Sequence, residues 1–138
     1  MQVEKTGYNI NNKIDTVQTG NNIIDWFYNF WKIEPNKLVE SNFIRPYTKF
    51  QYKNIIYDYH DFLNFLISSK ENGTVNNMQI IQKQVMPSGS RRLDILISGY
   101  IVKEGKRVSA FSQYFLIVSD PKTPDNWFLQ NTILNEFE

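Results

Sequence analysis

Two helical patterns come first along the chain, between Gly20 and Pro46. Between Gly20 and Trp31 the apolar residues recur at the spacing of one helix face: Ile23, Ile24, Phe27, Phe30 and Trp31. Asn36 can cap a second, short helix that carries Leu38, Val39 and Phe43, and Pro46 is expected to end that helix. The pattern therefore predicts an amphipathic helix followed by a shorter one.

The next segment predicts a hairpin and a third helix. Residues Tyr47 to Tyr52 and Asn54 to Tyr57 are rich in aromatic and β-branched side chains, as in two short strands. Asp58 can cap a helix that follows them, and Asn72-Gly73 can close it. The buried side of this helix is expected to consist of Phe62, Leu63, Phe65, Leu66 and Ile67.

The second half of the chain predicts four consecutive strands. They span Met78 to Met86, Leu93 to Lys103, Ser109 to Ser119 and Asn126 to Asn135, with a turn at Glu104-Gly105-Lys106. Helices that each have one apolar face, followed by a strand meander, predict an α+β fold with three N-terminal helices on one side of a mostly antiparallel sheet. Residues 1–19 are polar and weakly periodic, so we expect a flexible N-terminal arm before a domain of residues 20–138.

The last three strands do not alternate cleanly between apolar and polar positions. Both of their faces carry large apolar residues, and the second face adds amide and hydroxyl groups. Any single position of this kind is also compatible with the core of a strongly curved sheet. Repeated over three neighbouring strands, the pattern favours an interface with a partner. The interface residues predicted from it are Leu96, Gln113, Leu129, Asn131 and Ile133.

Composition narrows the possible functions. The chain has no cysteine and one histidine, His60, so we expect no disulfide, no metal site and no cofactor. A net charge of +1 argues against direct nucleic-acid binding. No apolar run reaches the length of a membrane helix and no signal peptide is evident, so we expect a soluble, intracellular protein without a membrane partner.

The stretch from Ser98 to Asn135 resembles the nuclear transport factor 2-like family. The similar features are Ser98-Gly99 at the end of an apolar strand, the pattern Phe111-Ser112-Gln113-x-Phe115-Leu116, and an aromatic strand ending in Asn131-Thr132-Ile133-Leu134. The helix around Trp26-Phe27-Tyr28 resembles the first helix of proteins in this family. This resemblance implies a cone-like fold in which a bent sheet wraps three helices and forms dimers through its outer face.

The resemblance also implies a role in transport. The Glu104-Gly105 turn, Phe111-x-Gln113-x-Phe115 and the proline-containing turn before Trp127 resemble the small subunit that pairs with the large mRNA export receptor. This resemblance implies that the chain forms a heterodimer with a larger chain of the same fold and contacts Phe-Gly nucleoporins. It also implies a location in the nucleus, the cytoplasm and the nuclear pore. A homodimeric carrier of Ran-GDP is the alternative, although Tyr52 and Lys106 stand where that carrier has acidic residues.

A small isomerase- or dehydratase-like enzyme is the alternative from another class. Acid–base chemistry inside the cone requires at least two converging groups. The candidate residues are Asp94, Asp58, Tyr52, Tyr57 and His60. Asp94 is expected to face outward, Asp58 to cap a helix and His60 to lie at the surface, so the sequence predicts a protein that is not an enzyme.

Overall fold

The computed structural model describes residues 8–9, 16–89 and 91–137. Within them, three α-helices precede most of the sheet: α1 (Thr16–Ile33), α2 (Asn36–Glu40) and α3 (Tyr59–Glu71), with a 3-10 turn at Val75–Asn77. Asp58 caps α3 as predicted, because its carboxylate accepts the Asp61 backbone N–H at 2.8 Å. Gly73 follows α3 with a φ of 82°, the left-handed conformation expected of a residue that ends a helix.

Seven described strands form one mixed sheet. They are β1 (Tyr8–Asn9), β2 (Ile44–Tyr52), β3 (Ile55–Tyr57), β4 (Met78–Pro87), β5 (Arg92–Lys103), β6 (Lys106–Ser119) and β7 (Asn126–Phe137). The spatial order is β3-β2-β7-β6-β5-β4, and β1 pairs additionally with β7. Strands β4 to β7 form the predicted antiparallel meander. The pairing of β2 with β7 is parallel and was not predicted.

The core lies between the helices and one face of the sheet, called here the inner face. Phe27 of α1 packs edge-on against Phe115 of β6, with ring centroids 5.2 Å apart. Phe62 of α3 stacks on Phe50 of β2 at 4.3 Å. Both contacts bury rings from opposite layers, so aromatic residues of the helices and of the sheet form one core. No helix among the described residues is long and apolar enough to cross a bilayer.

The second helix and the N-terminal arm differ from the sequence expectation. Helix α2 ends at Glu40, and Pro46 lies inside β2 instead of ending a helix. Proline is accommodated there because the pairing of β2 with β7 shifts register between Ile44 and Lys49, which removes the need for a ladder N–H. Part of the predicted arm is structured, since α1 begins at Thr16 and Tyr8–Asn9 pairs with β7. Residues 1–7 and 10–15 lie outside the described residues, and the flexible arm stays a prediction.

Three bulges interrupt the antiparallel meander. The register of β4 with β5 shifts between Ile80 and Gln82, that of β5 with β6 shifts between Ile101 and Val102, and that of β6 with β7 shifts beside Gln130. A bulge inserts one residue into one strand, so side chains on either side of it change faces relative to simple alternation. The bulge beside Gln130 decides which residues of β7 face away from the helices.

Candidate functional site

The face of the sheet opposite the helices, called here the outer face, carries a continuous row of cross-strand neighbours. Consecutive Cα partners run from β3 to β4 through all six strands of the main order: Ile56, Gln51, Ile133, Tyr114, Leu96 and Gln84. Leu96 is 40% exposed, and Ile133 and Tyr114 are half-buried. This central row is therefore an apolar strip at β5, β6 and β7 with an amide on each side.

The rows beside the central one supply hydrogen-bonding groups with little net charge. One row consists of Asn135, Ser112, Ser98 and Gln82. The other consists of Lys49, Asn131, Leu116, Asp94 and Met86. The first row is uncharged and polar, whereas the second combines Asn131 with two apolar and two charged residues. Uncharged polar groups beside an apolar centre are typical of a protein–protein interface.

The carboxylate on this face is neutralised within the chain. Arg92 donates to both oxygens of Asp94 at 3.0 Å, and the Tyr114 hydroxyl donates to Asp94 as well. The Arg92 hydrogen bonds hold the pKa of Asp94 below its ordinary value. Burial, followed by the hydrogen bond to Asp94, raises the pKa of Tyr114. The carboxylate of the outer face is therefore paired within the chain, and Lys49 adds a positive charge at the β2 end of the same row.

Three of the five predicted interface residues lie on the outer face, and two do not. Leu96, Asn131 and Ile133 are exposed or half-buried there. The placement of Leu129 was wrong, because the bulge beside Gln130 turns Leu129 onto the inner face, where it is fully buried. The placement of Gln113 was also wrong, since it lies in the core. Whether Leu96, Asn131 and Ile133 contact a partner stays a prediction.

Gln113 belongs to a polar chain buried between α1 and the sheet. The Tyr28 hydroxyl donates to Gln113 Oε1, and Gln113 Nε2 donates to Thr132 Oγ1 at 3.0 Å. The Thr132 hydroxyl in turn donates to the Tyr114 carbonyl at 2.8 Å. Burial raises the pKa of Tyr28 well above its ordinary value, so this hydroxyl stays a donor at neutral pH. The Gln113 amide is satisfied inside the molecule and positions α1 on β6.

A cavity of about 220 Å³ opens between α3 and the inner face of the sheet. Its wall combines aromatic, aliphatic and hydroxyl side chains with one carboxylate, that of Glu136. The lining residues are Trp31, Tyr52, Phe65, Ser68, Ser69, Asn72, Thr74, Met78, Ile101, Phe111, Leu134 and Glu136. Glu136 lies on the inner face because it is the Cα partner of Phe111, whose ring is buried.

Solved structures share this architecture at low sequence identity. The yeast Ubp3-associated protein Bre5 is 13% identical with a TM-score of 0.74, over 91% of this chain and 99% of the Bre5 chain in that crystal structure. Nuclear transport factor 2 from Cryptosporidium parvum is 14% identical with a TM-score of 0.67, over 86% of this chain and 92% of that protein. No family profile and no curated protein sequence matches the chain.

The chain has the nuclear transport factor 2-like fold. The predicted fold class, helices on a curved α+β sheet, is thereby confirmed. Proteins of this fold include a Shewanella frigidimarina protein with a proposed ketosteroid isomerase activity, which is 9% identical over 82% of this chain and 91% of that chain, with a TM-score of 0.66. Identities this low establish the fold of the chain and leave its partner and its chemistry to be argued from its own residues.

The nuclear transport factor 2-like cone brings few of the candidate catalytic residues together. Asp94 faces outward, Asp58 caps α3 and His60 is exposed. Tyr57 packs on the Phe50 ring at 5.1 Å, which leaves Tyr52 as the predicted candidate in the cavity wall. Sequence reasoning missed Glu136, although its position two residues after the apolar Leu134 indicates the same face of β7.

Proposed function

We propose that this chain is a non-enzymatic partner protein that heterodimerises through the outer face of its sheet with a larger chain of the same fold. In this proposal the pair supports mRNA export through nuclear pores. The observation that carries the proposal is the apolar row through Leu96, Tyr114 and Ile133, because in the described part of the chain the helices cover only the opposite face. Water contact along such a row is unfavourable, and a partner removes it.

The internal pairing of Asp94 on the outer face supports binding to a second sheet. Asp94 is held by Arg92 and Tyr114, so a partner does not bury an unpaired carboxylate when it covers Leu116 and Leu96. The serine and amide row beside the apolar strip can form hydrogen bonds with a strand face of similar composition. A partner with its own curved sheet would match this surface in both shape and chemistry.

The fold neighbours and the resemblance support different parts of the proposal. Bre5 occurs in a complex as the cofactor of the yeast deubiquitinase Ubp3, an example of this fold in a partnership with another protein. The role in mRNA export is supported by the hairpin pattern around Glu104-Gly105. Phe111, Gln113 and Phe115 of that pattern lie in the core, so they support the fold and leave the partner to be identified by experiment.

Ile133→Glu is expected to abolish pairing while the domain stays folded. The new carboxylate would lie between Gln51 and Tyr114 in the centre of the apolar row, where a covering partner would desolvate it. We expect binding to weaken by about 2 kcal/mol or more. The measurement is co-purification with a tagged chain expressed in its native cell, with circular dichroism to verify folding.

Ile33→Glu provides the control for this substitution. Ile33 is 63% exposed at the end of α1, away from the outer face, so the same change of residue type should leave pairing intact. Unchanged co-purification of Ile133→Glu would contradict the assigned face. Loss of the partner from both variants would indicate a general effect of added charge.

Light scattering of the chain expressed alone distinguishes the proposed heterodimer from a homodimeric carrier. A monomer, or poor solubility that a partner relieves, supports the heterodimer. A stable homodimer that binds Ran-GDP would support the carrier instead. Identification of the proteins that a tagged chain retains, with and without Ile133→Glu, then tests the mRNA export receptor and Phe-Gly nucleoporins as partners.

The non-enzymatic part of the proposal is supported by the cavity wall. An isomerase of this fold needs a carboxylate base together with hydrogen-bond donors that face one substrate atom. Among the described lining residues the single carboxylate is Glu136, so the second, protonated acid of the ketosteroid isomerase arrangement has no counterpart in this lining. Assays of ketosteroid and small-ketone isomerisation with the purified chain test this part, and turnover lost in Glu136→Gln would overturn it.

A further inference from the structure

The cavity under α3 has an aromatic wall. Four rings, from Trp31, Tyr52, Phe65 and Phe111, line a space of about 220 Å³. Phe65 is central to this wall, with its centroid 4.8 Å from that of Tyr52 and 6.2 Å from that of Trp31. The faces of aromatic rings carry negative electrostatic potential, so a wall of rings favours an organic cation over an anion.

The one carboxylate of the wall strengthens this preference. Glu136 lines this cavity and also an adjoining surface depression, which places it at the mouth. Burial and the nearby Glu136 carboxylate both raise the pKa of Tyr52, so Tyr52 remains a neutral ring and a hydrogen-bond donor. The aromatic wall and Glu136 thus act in the same direction on a positively charged ligand.

The protein already holds one ammonium group at this mouth. Lys53 Nζ lies 3.7 Å from a Glu136 carboxylate oxygen and 5.5 Å from the centroid of the Tyr52 ring. The Lys53 side chain is 46% exposed, and Lys53 is not part of the cavity wall. An exposed lysine pair of this kind contributes little stability, so another ammonium group can replace it at small cost.

We propose that the cavity binds a small ligand that carries an ammonium group on an aromatic or compact apolar body. The ammonium group takes the place of Lys53 against Glu136 and the Tyr52 ring, and the body enters between Trp31, Phe65 and Phe111. The volume is below that of typical drug-sized pockets, which limits the ligand to a small amine. This site lies on the inner face, so it is independent of the pairing through the outer face.

Three probes with one body and different head groups test the ligand class. The probes are phenethylammonium, 2-phenylethanol and phenylacetate, titrated into the full chain and followed by calorimetry and by the shifts of the tryptophan indole N–H signals. We expect phenethylammonium to bind about tenfold tighter than 2-phenylethanol, and phenylacetate to bind weakest. Equal binding of the ammonium and the alcohol, or no saturable binding of the ammonium, would overturn the proposal.

Two substitutions at the mouth have opposite expected effects. Glu136→Gln keeps the shape of the side chain and should weaken phenethylammonium binding about tenfold. Lys53→Met removes the competing ammonium and should tighten it about two- to fivefold. Asp25→Asn is the matched control. Asp25 forms an ion pair with Lys83, with 2.8 Å between the two charged groups, and neither residue lines the cavity. This substitution should therefore leave phenethylammonium binding unchanged. Weaker phenethylammonium binding in Lys53→Met would contradict the proposal, because it would show that Lys53 supports the site instead of competing for it.

Discussion

Gly99→Ala is expected to lower the free energy of unfolding by about 3 kcal/mol or more. Gly99 lies in the middle of β5, beside the bulge of β4. A Cβ atom at this position would lie 2.0 Å from the Gln79 carbonyl oxygen and 3.0 Å from the Phe111 ring. The carbonyl belongs to the backbone, so it can move only if the pairing of β4 with β5 is broken.

The measurement is urea denaturation followed by tryptophan fluorescence. Ser98→Ala serves as the neighbouring control, because its side chain lies half-buried on the outer face and its loss should change stability by about 0.5 kcal/mol or less. Gly20→Ala should have a smaller effect than Gly99→Ala, since the new Cβ would meet a Val85 methyl at 2.6 Å and the helix gains propensity. A Gly99→Ala variant as stable as the Ser98→Ala variant would contradict the close approach of β4.

Asp120→Ala is expected to lower the free energy of unfolding by about 3 kcal/mol, because it leaves the Arg45 guanidinium without its carboxylate in a poorly solvated position. The two side chains are 9% and 15% exposed and lie 3.2 Å apart. The same guanidinium donates to the Asn42 carbonyl and lies 3.7 Å from the centroid of the Phe128 ring. Asp120 also accepts the Lys122 N–H at 2.9 Å. This cluster joins the start of β2 to the loop before β7.

Arg45→Met provides the comparison for Asp120→Ala. Methionine keeps contact with Phe128 and removes the buried charge, so the double variant should be less destabilised than the sum of the two single variants. Additive losses in the urea midpoints would contradict an energetic coupling between Arg45 and Asp120.

Lowering the pH should remove the contribution of Asp120 to the free energy of unfolding. Hydrogen bonds, first from the Lys122 N–H and then from Arg45, hold the pKa of Asp120 below its ordinary value. Since the folded-state pKa is the lower one, this stabilisation is complete above the unfolded-state value of about 4 and is lost as the pH falls through the folded-state pKa. The stability difference between the wild type and Asp120→Ala should therefore be constant near neutral pH and shrink in stronger acid.

The order and type of the elements followed from local patterns. The apolar spacing in α1, the Asp58 cap and the turn at Glu104-Gly105 each depend on a few adjacent residues. Glu104 and Gly105 have φ values of 52° and 76°, as a tight hairpin turn requires. The interactions that stabilise a helix cap or a tight turn join residues close together in the sequence. The local pattern was therefore sufficient to place these features correctly.

The assignment of side chains to faces was less successful. Alternation from Phe111 to Phe115 is sufficient to place Gln113 on the inner face, but its amide favoured an exposed position. Its buried amide oxygen accepts a hydrogen bond from Tyr28, which is 85 residues away in sequence. Leu129 required knowledge of the bulge beside Gln130, which no residue type in β7 indicates.

By itself, the amino-acid sequence determined the helices, the strand meander, the α+β class and the presence of apolar residues on both faces of the last three strands. These features depend on spacing along one segment, and spacing can be read directly. Only the tertiary structure decided the parallel pairing of β2 with β7, the faces of Gln113 and Leu129, and the position of Glu136 in an aromatic cavity. Each of these depends on the registration of segments far apart in the chain, which is selected by the packing of all of them together.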